Sequence, residues 1–517
     1  MTEADGAVAV WREVELELRL DGRWTNAYTD VDVFAEFRHE SGELLIRPAF
    51  WDGGNSWRVR FAAPGTTGTW TWRAVAPKGI SVEPASGSFD VTGHPADEPL
   101  EFYRSGFWRM SEGGRNVVHP NGAPDLIAAD TAWALPWRAT LPDVETYARD
   151  RSGKGFNAVL LMSVQPDMDA RGPRERTLPG GFDVGFEDLR EGRLEQVNID
   201  YFRTLDAIVA TLRRHGIVPV LQPVFHGFGW KGLRAAGPLV PPADYARYCR
   251  FLVARYGAGP AIYLVGADGA GTEPQIEAGG REVEEWDAYG QPCGIHYRPH
   301  ARNDAHQDAH WLDFQWSQTG HGGEHVPERV ADQWRNLPAK GVANGEPSYE
   351  NTGRTGLASG WWQGHEAWSN LCAGGTMGVF YGAGSLWQWK LAADEAGHSD
   401  FFSAPGAGWR EALDFEGSAY VGLVRTVLAG LPFTDMAPDW TQAIQRRALT
   451  VPGRLAIFYN EMGGPVLLAE DNDIPLPYRV VDPRTGAQLA EGHRRPEDRV
   501  IPHDGEGPAV FICQVAS

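Results

Sequence analysis

Between residues 98 and 432, eight short apolar runs alternate with helical stretches, and this alternation leaves the chain few folds to choose from. The runs lie at 126–130, 158–163, 218–223, 261–266, 294–298, 313–316, 341–345 and 378–381. Strands buried on both faces read as continuous apolar runs, as parallel sheets require. The stretches between them are helical: in 198–215, Tyr201, Leu205, Ile208 and Leu212 share one face, and 243–256 follows the same period. Eight such units in this length predict a (β/α)8 TIM barrel.

The flanks have a different rhythm. Residues 14–18, 31–37, 57–61 and 69–73 alternate polar and apolar between Gly, Pro, Asn and Asp, which is the pattern of an antiparallel β-sandwich. A Pro/Glu-rich joint at 94–99 closes this part. After Pro432, residues 455–459, 466–469, 478–481 and 509–513 predict a second, smaller β-sandwich. The expected organisation is multidomain: an N-terminal sandwich over 1–97, a catalytic barrel over 98–432 and a C-terminal sandwich over 433–517.

A net charge of -21 on 517 residues argues against nucleic acid or an anionic membrane as partner, since both need a basic footprint. A neutral sugar is indifferent to bulk charge. The 21 tryptophans, many beside Gly or polar residues, favour a carbohydrate partner because indole faces stack on the C–H faces of sugar rings. Cys249, Cys293, Cys372 and Cys513 have no ligand spacing and are expected as reduced thiols. Residues 1–6 are acidic, with no basic or apolar leader region, and no run approaches the roughly 18 apolar residues of a membrane span. A cytoplasmic location is expected, and exposed sheet edges leave room for a homo-oligomer.

Neither a P-loop nor a G-x-S-x-G elbow is present, and no cofactor is expected. His296 with His300, and His306 with His310, stand at i, i+4 spacing. Pro299 breaks any helix through the first pair, and Gln307 stands where a zinc-protease motif needs its general-base Glu. No metal site is expected.

Two acids stand out at strand ends: Asp268, closing Ala261 to Gly269, and Glu346, in Asn344-Gly345-Glu346-Pro347 with Tyr349 and Glu350 behind it. The central region resembles the apiosidase-like glycoside hydrolases. Its matching motifs are Ala129-Asp130-Thr131-Ala132-Trp133, Lys154-Gly155-Phe156-Asn157, Val197-Asn198 with Tyr201-Phe202, Thr319-Gly320-His321 and Asn344-Gly345-Glu346-Pro347. Phe50-Trp51-Asp52-Gly53 resembles the sandwich found before such barrels. Val481-Asp482-Pro483-Arg484-Thr485-Gly486 resembles a sandwich named for collagen binding, a name that carries no evidence for collagen. The resemblance implies a glycosidase, and Asp rather than Glu at position 268 tilts it toward apiose or another furanose.

Glycosidic cleavage needs one protonated carboxyl and one carboxylate on either side of the anomeric carbon. Asp268 is expected as general acid/base and Glu346 as nucleophile, with Glu350, Glu273 and Asp130 as rival carboxylates. Substrate contacts are expected from residues at other strand ends: Asp130, Trp133, Gln165, His226, His300, His321, Tyr349, Trp387 and Trp389, with Tyr381 at another. Trp387 and Trp389 alternate and are expected on one side. The expected activity is an exo-acting, retaining hydrolase releasing a terminal pentofuranose. An endo-acting polysaccharide hydrolase and a non-catalytic sugar-binding barrel are the alternatives.

Overall fold

The computed structural model describes residues 7–227, 234–299, 303–319, 326–352, 358–395, 406–432, 434, 436–444 and 447–515. Its centre is a ring of eight parallel strands: β1 (Ile127–Thr131), β2 (Ala158–Met162), β3 (Val218–Gln222), β4 (Ile262–Gly269), β5 (Cys293–Tyr297), β6 (Phe314–Gln318), β7 (Gly341–Glu346) and β8 (Gly378–Gly382). Neighbours in sequence are neighbours in the sheet, and β8 returns to pair with β1. Between β7 and β8 the ring is nearly closed by Met377 N, which donates to Val342 O at 3.2 Å. Every strand residue from β1 to β8 is buried, which is why the sequence showed unbroken apolar runs rather than alternation. All eight expected runs overlap these strands. The fourth continues to Gly269, because two register shifts against β5 lengthen it.

The outer layer is helical: α1 (Leu141–Gly153), α2 (Ile199–Arg214), α3 (Pro242–Tyr256), α4 (Pro274–Trp286), α5 (Glu328–Trp334), α6 (Trp361–Cys372) and α7 (Glu416–Leu428). α2 starts where the Asn198 side chain accepts from Tyr201 N, and it buries Tyr201, Leu205, Ile208 and Leu212 as its period predicts. Asn157, just before β2, accepts from Ala128 N and donates to Leu126 O, so it fixes the start of β1.

Before the barrel lie a five-stranded and a four-stranded sheet. Val14–Asp21 alternates as expected, burying Val14, Leu16, Leu18 and Leu20. Phe37 of the first sheet stacks on Phe61 of the second, with centroids 4.1 Å apart. One continuous hydrophobic cluster runs from these sheets into the barrel, joining Leu18 and Phe37 to Leu160 and Ile262. After the barrel comes a six-stranded sheet, with a separate cluster around Phe458, Val480 and Phe511, and a two-stranded sheet beside it. All four cysteines are free and buried. Among the described residues no helix is long and apolar enough to cross a membrane.

Candidate active site

The C-terminal ends of β4, β5, β6 and β7 bring the reactive side chains together. The bulges in β4 leave Asp268 at φ 58°, a left-handed conformation that costs a non-glycine residue free energy. The strain re-aims its carboxyl, and the side chain of Gln318, the last residue of β6, hydrogen-bonds it. β5 supplies His296, whose ring is fully buried between the two acids. Nδ1 lies 3.8 Å from Asp268 Oδ1, and Nε2 lies 3.2 Å from Glu346 Oε2. Donor atoms of Asp268, His296 and Glu346 all fall within 4.8 Å of one another. Gly345 makes this packing possible, since a Cβ there would lie 2.8 Å from Trp316 Cβ and 3.0 Å from His296 Cδ2.

Tyr349 completes the cluster from the loop after β7. Its hydroxyl hydrogen-bonds Glu346 and accepts from Trp133 Nε1 at 3.2 Å. Trp133 also meets the His296 ring edge-on at 6.1 Å, and Trp387 tilts against Tyr349 at 6.3 Å. Gly382 leaves room for this tyrosine, because a Cβ there would fall 2.2 Å from its ring. Burial pushes the Tyr349 phenol well above its ordinary pKa, and the charges of Glu346 and Asp268 add to it, so the hydroxyl stays a neutral donor.

Burial also raises the Asp268 carboxyl well above the usual carboxylate range, the nearby Glu346 charge raises it further, and the Gln318 hydrogen bond opposes them. A buried acid next to a second carboxylate keeps its proton. Asp268 is therefore equipped to give a proton away. Asp268, His296 and Glu346 also have the reach of a three-donor cation site. However, the ring turns one nitrogen to each acid, and a cation could take only one of them. His296 Nε2 is within hydrogen-bond reach of Glu346, while its Nδ1 stands 3.8 Å from Asp268, an electrostatic rather than a hydrogen-bonded contact.

The structure gathers Asp268, Glu346, Trp133, Tyr349 and Trp387 from the expected set, and it moves two others elsewhere. Asp130 does not face the barrel mouth. Alternation along β1 turns it outward to α1, where Tyr147 Oη (2.8 Å) and Arg151 Nε (2.6 Å) donate to Oδ2 and Thr131 N donates to Oδ1. The expected sugar contact is instead a buried staple. Trp389 does not share a side with Trp387. The helical turn Gly384–Trp387 and a φ of 53° at Trp389 break the alternation, and Trp389 stacks on Trp409 (4.6 Å, 16°) against Tyr147.

His226 is buried with its ring edge against Tyr245, and desolvation lowers its pKa to about 4 despite the charge of Glu273. Both residues back the segment just after Asp268: a Cβ on Gly269 would lie 2.8 Å from Glu273 Oε1 and 3.1 Å from His226 Cβ. Gln165 is buried, its amide oxygen without a hydrogen-bond partner among the described residues. His300 and His321 lie outside the described residues. Glu350, a rival acid, is spent on Tyr381 Oη (2.7 Å), Gly360 N (2.7 Å) and Gly417 N (3.1 Å).

Sequence reasoning missed His296 and Gln318. His296 was considered only as half of a helical metal pair, although Ile295-His296-Tyr297 closes an apolar strand. Gln318 sat beside the more conspicuous His321.

Residues 111–435 match the family described as "Apiosidase-like, catalytic domain". The chain belongs to the apiosidase-like glycoside hydrolases. Residues 7–76 match a domain of unknown function, DUF5060. Similar solved structures include a chain described as "Glycoside hydrolase", at TM-score 0.65 and 20% identity, covering 81% of this chain and 98% of that one. A glycoside hydrolase family 5 protein from Bacteroides vulgatus aligns at TM-score 0.63 and 20% identity, over 81% of this chain and 94% of its own. At these identities the likeness concerns the fold. No curated protein matches the sequence. The family match makes the protein a glycosidase acting on carbohydrate.

Proposed function

We propose that this apiosidase-like protein is an exo-acting, retaining glycosidase that releases a terminal pentofuranose such as apiose or arabinofuranose. The observation that carries the retaining assignment is the close approach of the acids, whose donor atoms lie within 4.8 Å. Retaining pairs stand about 5–5.5 Å apart, whereas inverting pairs need about 6.5–9.5 Å to admit a water. Glu346 attacks the anomeric carbon while Asp268 passes its proton to the departing oxygen, and a glycosyl ester forms on Glu346. Asp268, now a carboxylate, takes a proton from the water that cleaves the ester and is reset. Tyr349 and His296 hold Glu346 in line. The pentofuranose and exo assignments rest on the family match and on aspartate, rather than glutamate, at the end of β4.

The regions 1–97 and 433–517 are read as β-sandwich domains that brace a barrel domain over 98–432. A cytoplasmic location and a homo-oligomer remain part of this reading.

The test is a panel of p-nitrophenyl glycosides including the β-apioside and both arabinofuranoside anomers, with Asp268→Asn and Glu346→Gln beside wild type. Asp268→Asn should lower kcat by about 10²–10⁴-fold, and Glu346→Gln should lower it at least as far. Proton NMR of the first sugar released should show the substrate's own anomer; the opposite anomer would refute retention. No turnover on any furanoside would refute the substrate class.

A further inference from the structure

Helix α6 packs on the barrel wall beside β7 and β8, where a helix ordinarily turns an apolar stripe inward. At the level of the β7 terminus it turns polar residues inward instead. Gln363, Glu366 and Asn370, at i, i+3 and i+7, are 2%, 1% and 5% exposed. Burying three polar side chains costs free energy unless each is paired. Each has at least one partner among the backbone and side chains that flank Glu346.

Glu366 Oε2 accepts from Ser348 N at 3.2 Å, and Oε1 accepts from Thr319 Oγ1 at 3.2 Å. Gln363 Nε2 donates to Ser348 O at 2.8 Å, so α6 grips both backbone polar groups of Ser348, the residue two past Glu346. Thr319 N in turn donates to the carbonyl of Glu346 itself, at 3.3 Å. Asn370 Nδ2 reaches the side-chain oxygen of Asn344 at 3.1 Å, in the amide orientation that lets Asn344 donate to Ser317 O and Glu346 O, each at 3.2 Å. The backbone on either side of Glu346 is thus tied to one helix face.

We propose that Glu366, with Gln363 and Asn370, is a positioning residue that holds the Glu346 carboxylate in line for attack. The inference rests on the assignment of Glu346 as nucleophile. Burial raises the Glu366 carboxyl to about 7, and the donors from Ser348, Thr319 and Trp362 hold it down from going higher. These partners are all donors, so the oxygens of Glu366 are what the site needs. Glutamine can still serve Ser348 N with its oxygen and let the Thr319 hydroxyl turn round to accept. Leucine removes the acceptor that Ser348 N, Thr319 Oγ1 and Trp362 use.

The test measures kcat and KM for wild type, Glu366→Gln, Glu366→Leu and Thr319→Val on the furanoside the wild type turns over best, with Tm recorded for each. Glu366→Leu should lose roughly 10²-fold in kcat with KM near wild type, because a misplaced nucleophile costs transition-state alignment rather than binding. Glu366→Gln should restore most of that rate, and Thr319→Val should lie between them. If Glu366→Leu does not fold, the Glu366→Gln and Thr319→Val pair carries the test through the same kcat-against-KM split. Wild-type kcat in folded Glu366→Leu would overturn the inference, as would wild-type kcat in Thr319→Val where Glu366→Leu does not fold, or losses confined to KM or Tm. A wild type inactive on every glycoside would instead overturn the assignment of Glu346.

Discussion

Asp268 is held in a conformation and an ionisation state that folding alone would not choose. Its φ of 58° and its buried, proton-retaining carboxyl both cost stability. The sign follows from proton linkage. The folded state holds this proton above the unfolded value of about 3.9, so its contribution to stability is lost as pH rises from there toward the raised folded pKa. Asp268→Asn removes that loss, and at pH 7 the variant should show a higher Tm than wild type while turnover collapses. Differential scanning calorimetry at pH 4 and pH 7 checks this: the Tm gain should be larger at pH 7, and an equal or smaller gain there would contradict the account. Wild-type activity should fall on the alkaline side as Asp268 loses the proton it must donate, and a flat alkaline limb up to the onset of unfolding would exclude it as the acid.

At the scale of elements, the loops around the mouth are pinned by charge as much as by packing. Arg138, in the turn after β1, pairs with Glu395 beyond β8, and both side chains are 1% exposed. Glu395 also accepts from Leu391 N and from Gly180 N of the long loop after β2, each at 2.6 Å. Arg138 donates a further bond to Gln388 O, one residue past Trp387. One carboxylate therefore joins the loops of strands one, two and eight. Glu395→Ala strands a buried guanidinium and should cost about 3–5 kcal/mol. Urea unfolding measures this directly; a loss below about 1 kcal/mol would mean that the pair is solvated in solution.

At the scale of the molecule, the N-terminal sheets are built into the barrel. Arg47 is fully buried and donates to Arg60 O, to Val253 O near the end of α3 and to Trp286 O at the end of α4. Arg60 and Arg255 share Asp206 of α2, and Arg60 Nη1 also donates to Arg255 O. Cations at helix C-termini satisfy carbonyls that the helices leave open. Removing residues 1–97 would uncover Asp206, Arg255 and part of the shared hydrophobic cluster, so a chain starting at residue 98 should be insoluble or molten. Circular dichroism and thermal melting of that truncation decide the point, and a cooperative transition near the wild-type Tm would show the barrel to be independent. A cavity of about 1060 Å³ lies at the opposite end of the barrel from the acids, between Leu126, Asn157 and the C-terminal Gln514. Of its charged groups, Asp125 pairs with Arg425 and Glu101 with Arg104.

The sequence by itself determined the eight strands, the order of sheet and helix, and both acids at strand ends. These depend on local signals: apolar runs bounded by turns, and a carboxylate where a run stops. It also carried Trp133 and Tyr349, which sit within a few residues of a strand end. What only the tertiary structure decided is which side of the wall each side chain takes. Asp130 lies as close to the end of β1 as Trp133 does, and Trp389 follows Trp387 by two residues. Asp130 points to α1 because alternation along β1 turns it outward, and Trp389 is turned away by its own left-handed φ just past a helical turn. His296 and Glu366 became visible only when strands and a helix distant in sequence met around Glu346. Their roles reside in distances across the barrel, between groups 20 to 50 residues apart in the chain.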